Sequence, residues 1–251
     1  MKFTSAIFCI LLLNSVSFCQ NRDTVLIIPG DRILKSNKLK NYRMQYDFIG
    51  YKDGVETKIG GIEDNFQTIT NKEGVFGLRI CHITLGTNNI LDSGLCYLRG
   101  LKPIYHRSNQ TKKKLAIEFN SERITGTISH DLEGFTSNEL INYAAPVALF
   151  DSYYEDIIAK TTKFKKGALI KFAEYIYERG GIVWSFGKTI GKEKTTDKNG
   201  KNYWAWKIQF NEQDIRGKIV RTTTYLIRKK NREIISREYK TETSRIVMTQ
   251  I

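Results

Sequence analysis

The chain has 251 residues, with 40 lysines and arginines against 26 acids, a formal net charge of +14 and 41% apolar residues. This length suits one large β domain or two small ones, and three prolines with no glycine- or serine-rich tract exclude a linker-built or low-complexity chain. The charge leaves nucleic acid, anionic headgroups, acidic glycans or a merely solvated rim as readings.

Lys2, the apolar run Ala6–Leu13 and the small residues Ser17 and Cys19 make a secretory signal peptide, too short to cross a bilayer. Cleavage is expected before Gln20, leaving residues 20–251 as a single β-rich domain. A lipidated Cys19 is less favoured, because bulky Phe18 stands where a small residue belongs. An exported chain, periplasmic or outer-membrane-associated in a Gram-negative-type envelope, has no need of nucleic acid.

Period-two alternation dominates the rest of the chain. Tyr42, Met44, Tyr46 and Phe48 share one face, and Asp53-Gly54 then suits a tight turn. Phe76, Leu78 and Ile80 read as a second apolar face, with strands at Val75–Leu85 and Ile90–Leu98. Leu101–Asn120 reads as two strands around Ser108–Thr111, with Leu115, Ile117 and Phe119 on one face and lysines guarding the turn. Asp131–Ala148 lacks a period and reads as a crossing connection.

Phe150, Tyr153, Tyr154, Ile157 and Ile158 recur at three and four, predicting a helix over Ser152–Lys160 opened by a Ser152/Glu155 capping box. Gly167–Tyr177 fits helix and strand equally. Ile182, Trp184 and Phe186 mark a strand, and Asn199-Gly200 turns into another with Trp204, Trp206, Ile208 and Phe210 on one face. Val220–Ile227, Glu233–Tyr239 and Arg245–Ile251 close the meander.

Chemical motifs are sparse. There is no nucleophile elbow, phosphate loop, His-Glu-x-x-His or zinc-spaced cysteine pair, so no cofactor or metal is expected. His82, His106 and His130 lie far apart, and His106 reads as a strand histidine bonded to a neighbour. Nucleic-acid recognition would want aromatic platforms among the charges, and near Lys112–Lys114 only Tyr105 offers one. Trp184, Trp204 and Trp206, with Tyr153 and Tyr154 of the helix, are the candidate ligand-binding residues; buried core is the competing reading of the tryptophans. After signal removal Cys81 and Cys96 are the remaining cysteines. If Asn88-Asn89 centre a two-residue turn, the two stand opposite one another and a disulfide is expected, with separately buried thiols as the alternative.

The runs LDSGLCYLRGLKPIYHRSN, LAIEFNSERITGTI, FDSYYEDIIAK, YWAWKIQF and TTTYLIRKKNREIISREYK, in that order, resemble an exported bacterial β-protein family, domain of unknown function 3108, over Tyr42–Tyr239. The resemblance implies an all-β fold with one short inserted helix: a highly curved antiparallel sheet, either β-roll or open barrel. It tips Gly167–Tyr177 toward strand and transfers no catalytic residue. In outline such a sheet is similar to lipoprotein carriers. The function expected is therefore non-catalytic: a monomeric envelope protein holding a lipid-like or other amphiphilic ligand, its basic rim toward an anionic membrane surface. The alternatives are an envelope-glycan hydrolase using acids such as Glu118 and Asp151, or a structural or partner-binding protein with a filled core.

Overall fold

Alternation becomes strand pairing along almost the whole chain. The computed structural model describes residues 24–132, 135–163, 168–179, 181–196, 200–214 and 216–251. The expected signal segment and Asn199 of the expected turn lie outside them, while Gly200 takes the positive φ of +77° expected there. After β1 (Thr24–Leu26) comes a meander of β2 (Tyr42–Lys52), β3 (Val55–Asn71), β4 (Gly74–Leu85), β5 (Asn88–Tyr97), β6 (Lys102–Gln110), β7 (Lys113–Phe119), β8 (Arg123–Leu132) and β9 (Phe135–Ala144). Next, β10 (Phe150–Asp151) leads into helix α1 (Glu155–Thr161). A second meander holds β11 (Leu169–Ile176), β12 (Gly181–Thr196), β13 (Asn202–Gln213), β14 (Ile219–Arg228), β15 (Ile234–Lys240) and β16 (Arg245–Gln250). The meanders join where β16 pairs antiparallel with β2, giving one sheet that begins at β1, parallel to β11, and ends at β9. The fold is all-β with one short helix, as the sequence implies.

The sheet overlaps itself. On β11, Ile170, Phe172 and Glu174 point toward the helix, while Ala173 and Tyr175 point away. Leu115 and Ile117 of β7 and Ile124 and Ile128 of β8 pack on Ala173 and Tyr175, with Tyr143, Ile182 and Trp184 around them. The inner face of one end therefore covers the outer face of the other. The curl closes as a spiral through apolar side chains, and among the described residues β9 pairs only with β8.

Helix α1 fills the interior. Seven residues are too few to be helical alone, so packing holds it: Ile157, Ile158 and Ala159 are buried against Phe172, Phe210 and Tyr225. The expected aromatic stripe is buried at Phe150 and Tyr154 and half-buried at Tyr153. Its start differs from the expected capping box. Asp151 Oδ1 accepts from the Tyr153 amide at 3.1 Å, and Ser152–Tyr154 form a 3₁₀ turn before the α-helix.

Three further expectations are corrected. Asp131–Ala148 is no plain crossing connection, since β8 and β9 pair through most of it; polar residues on both faces of β9 hide the period. On β4 the apolar set does not face the helix: Phe76 is buried beside Tyr97, with half-buried Leu78 and Ile80 on the same outer face, and Arg79 and Cys81 face in, because Asp64 and Asp156 neutralise the arginine. The disulfide is absent. The hairpin turns at Gly86-Thr87, Gly86 taking a left-handed φ of +58°, so Cys81 pairs with Asp92 and Cys96 with Gly77. The cysteines share a face but stand four positions apart, about 13 Å at strand spacing, and burial pushes both thiols up to about 12.

Candidate functional site

The interior around α1 is polar to an extent that alternation does not reveal. Arg79 donates to Asp64 at 2.9 and 2.6 Å and to Asp156 at 2.8 and 2.6 Å, and Arg237 lies 3.1 Å from Asp156. Burial opposes ionisation of Asp64, but Arg79 holds its carboxyl below the usual range. A second network surrounds Glu155, which accepts from Tyr225 at 2.7 Å and from Arg221. Arg221 also meets Glu212, which lies 2.9 Å from Arg179. Glu174 is beside them, accepting from Ser185. Burial, then Glu155 and Glu212, push the Glu174 carboxyl well above its ordinary range, and burial takes Glu212 up to about 7. Among the described residues Glu155, Glu174 and Glu212 form a trio whose ligand atoms lie within 4.8 Å of one another. Arg221 bridges Glu155 and Glu212, Arg179 also reaches Glu212, and burial favours the protonated form of Glu174.

At the C-terminal end of α1 the sheet opens into a cavity of about 800 Å³. Seven basic residues line it against one carboxylate, Glu233. Lys160 comes from the helix, Lys38 and Lys40 from the segment before β2, and Lys230 and Arg232 from the β14–β15 turn. Arg232 is committed to the helix end: it donates to Lys160 O at 2.8 Å and Thr162 O at 2.5 Å, satisfying carbonyls that the helix leaves free. The Lys160 ammonium stands 3.9 Å from the Tyr42 ring centre, and burial lowers its pKa. Next to this cavity, sharing Lys230 and Asn231, is another of about 770 Å³ bordered by Tyr203 and Trp204. Trp204 is 57% exposed.

The expected ligand-binding residues are only partly gathered. Trp204 and Trp206 do share the inner face of β13 with Ile208 and Phe210. Trp204 stands free at the mouth, while Trp206 packs on the core with Lys192 Nζ 4.3 Å from its ring. Trp184 is on the outer face of β12 under the β7–β9 overlap, with Lys171 Nζ at 4.1 Å. Tyr154 is fully buried, and Tyr153 donates to Asp92 O at 3.2 Å toward the other end of the helix. Glu118 is exposed and paired with Arg107, whereas Asp151 is buried beside His106, so these acids share no cleft. His82 is exposed and His130 half-buried; with His106 they form no cluster. Lys160 and Tyr42 are the site residues missed by sequence reasoning. The signal was present in Lys160, the basic residue in the last turn of a helix whose charges are otherwise the acids Glu155 and Asp156 of its first turn.

Fold and mouth together define a class: a barrel-like protein of one spiral sheet, plugged by a short helix and cationic at one rim. The chain belongs to the family described as Protein of unknown function (DUF3108), whose profile matches residues 41–249. Its architecture is similar to a solved beta-barrel-like protein of domain of unknown function DUF1849 from Brucella abortus, with a TM-score of 0.55 over 85% of this chain and 96% of that one. At 10% identity that likeness shows the fold alone. No curated protein matches.

Proposed function

We propose that this is a non-catalytic envelope protein that binds an anionic amphiphile at the mouth beside the C-terminal end of α1. The observation that carries the reading is the cavity of about 800 Å³ with seven basic residues against one acid. Phosphate-bearing headgroups suit Lys38, Lys40, Lys160 and Lys230, and Trp204 beside them offers an amphipathic ring of the kind that sits at a lipid interface. The spiral's interior holds α1 and its polar network, so the ligand is engaged at the rim rather than swallowed by the sheet. An exported chain meets such headgroups in an envelope, in keeping with the N-terminal signal.

Co-sedimentation with vesicles tests this. Phosphatidylglycerol vesicles should bind the protein and release it as salt rises, while phosphatidylcholine vesicles should bind poorly at any salt. Each of Lys38→Glu and Lys230→Glu should weaken binding by about fivefold or more, given about 1 kcal/mol for each basic residue near an anionic surface. Equal binding to both vesicle types would sink the reading.

A further inference from the structure

A second opening lies at the N-terminal side of α1, away from the basic mouth. His106 projects from β6 toward it and is 4% exposed. Its ring is stacked on Tyr153 with centres 4.7 Å apart, and its Nδ1 is 3.3 Å from Asp151 Oδ2. Among the described residues, Nε2 of this ring has no hydrogen-bond partner, and neither has Asp92 Oδ1 beside it. A cavity of about 300 Å³ lies against both, bordered also by Ser152, Tyr177, Glu178 and Arg221. Buried polar atoms are nearly always bonded, so orphaned atoms at a cavity require a polar partner within it.

Charge selects the kind of partner. The guanidiniums of Arg179 and Arg221 face Glu212, and Arg221 also binds Glu155, so little positive charge remains for a carboxylate or phosphate. Asp92 and Glu178 supply acceptors, Arg221 keeps an unpartnered Nε–H, and the Ser152 and Tyr177 hydroxyls both donate and accept. Alternating donors and acceptors beside an aromatic wall match ring hydroxyls, and about 300 Å³ is the lower end of ligand-site volumes. We propose that this cavity binds one neutral sugar unit, with His106 Nε2 and Asp92 meeting two of its hydroxyls.

Saturation-transfer NMR on the full chain tests it, with glucose, galactose, mannose and N-acetylglucosamine at about 10 mM as probes. Alanine and inorganic phosphate serve as zwitterionic and anionic comparators. At least one sugar should bind saturably without competition from either comparator. Asp92→Asn and the rim variant Glu178→Gln should each weaken that binding by about tenfold, the equivalent of one lost polar contact. Glu178 is exposed, so its variant keeps the test valid if Asp92→Asn fails to fold. Binding of no sugar, displacement by phosphate or alanine, or unweakened binding in a folded Glu178→Gln protein would each overturn the proposal. Vesicle binding at the opposite mouth is independent of all these outcomes.

Discussion

Glu174 and Glu212 sit where carboxylates are costly to ionise, and this gives stability a pH dependence of definite sign. Their folded pKa values are raised above the ordinary 4.5, so between 4.5 and the folded value the native state binds more protons than the unfolded chain. Their contribution is complete below 4.5 and is lost as pH rises, for Glu212 through about 7. Burial works against protonated His106, but Asp151 outweighs it and raises the pKa above 6.5. That effect has the same sign and acts only above 6.5, so the range from 4.5 to 6.5 reports on the buried carboxyls, the two glutamates together with Asp92, which burial also raises. Below about pH 7, where the folded carboxyl is protonated, Glu212→Gln should cost little stability, because the amide replaces a neutral group of the same shape. It should also flatten the decline between pH 4.5 and 6.5. Urea midpoints measured across this range decide it; an unchanged slope would mean that Glu212 titrates normally.

The β4–β5 hairpin shows how a turn sets chemistry within a single element. Placing the bend at Gly86-Thr87 instead of Asn88-Asn89 slides the partner strand by four positions, an even shift that keeps both cysteines on the inner face but separates them. Glycine tolerates the left-handed conformation needed there, whereas threonine and asparagine adopt it less readily. Intact mass should therefore be the same before and after reduction, and both thiols should be alkylated in denaturant without reductant. In the native state both should resist alkylation, since burial keeps each protonated and covered. A mass lower before reduction than after it, by the two hydrogens a disulfide gives up, would refute this register.

Across the whole molecule, Arg79 ties three layers of chain together. It joins Asp64 of β3 to Asp156 of α1, and it donates to the Tyr153 carbonyl in the turn before the helix. Arg237 of β15 reaches the same Asp156 from the other meander. Buried pairs of this kind add little net stability when intact, yet removing one partner leaves charge uncompensated. Arg79→Ala should therefore destabilise the fold by about 3–5 kcal/mol in equilibrium urea unfolding. A loss below about 1 kcal/mol, the size of an exposed pair, would show that the helix is not pinned through this network.

The strands were legible in the sequence because a period of two is local and survives wherever one face is apolar. Trp204 to Phe210 and Tyr42 to Phe48 are examples, both with inner faces as expected. The helix was legible through its stripe at three and four, and the strands of Leu101–Asn120 through their shared turn. Which face lay inside was settled only in three dimensions where a charge was neutralised across the spiral, as for Arg79 on β4. The same holds for Trp184 lying on the opposite face from Trp206, and for Lys160, Tyr42 and Lys230 meeting at one mouth. The physical reason is range. Alternation is set by neighbouring residues, whereas the cost of burying a charge depends on partners far away in the chain, as Arg237 is from Asp156 and Arg79.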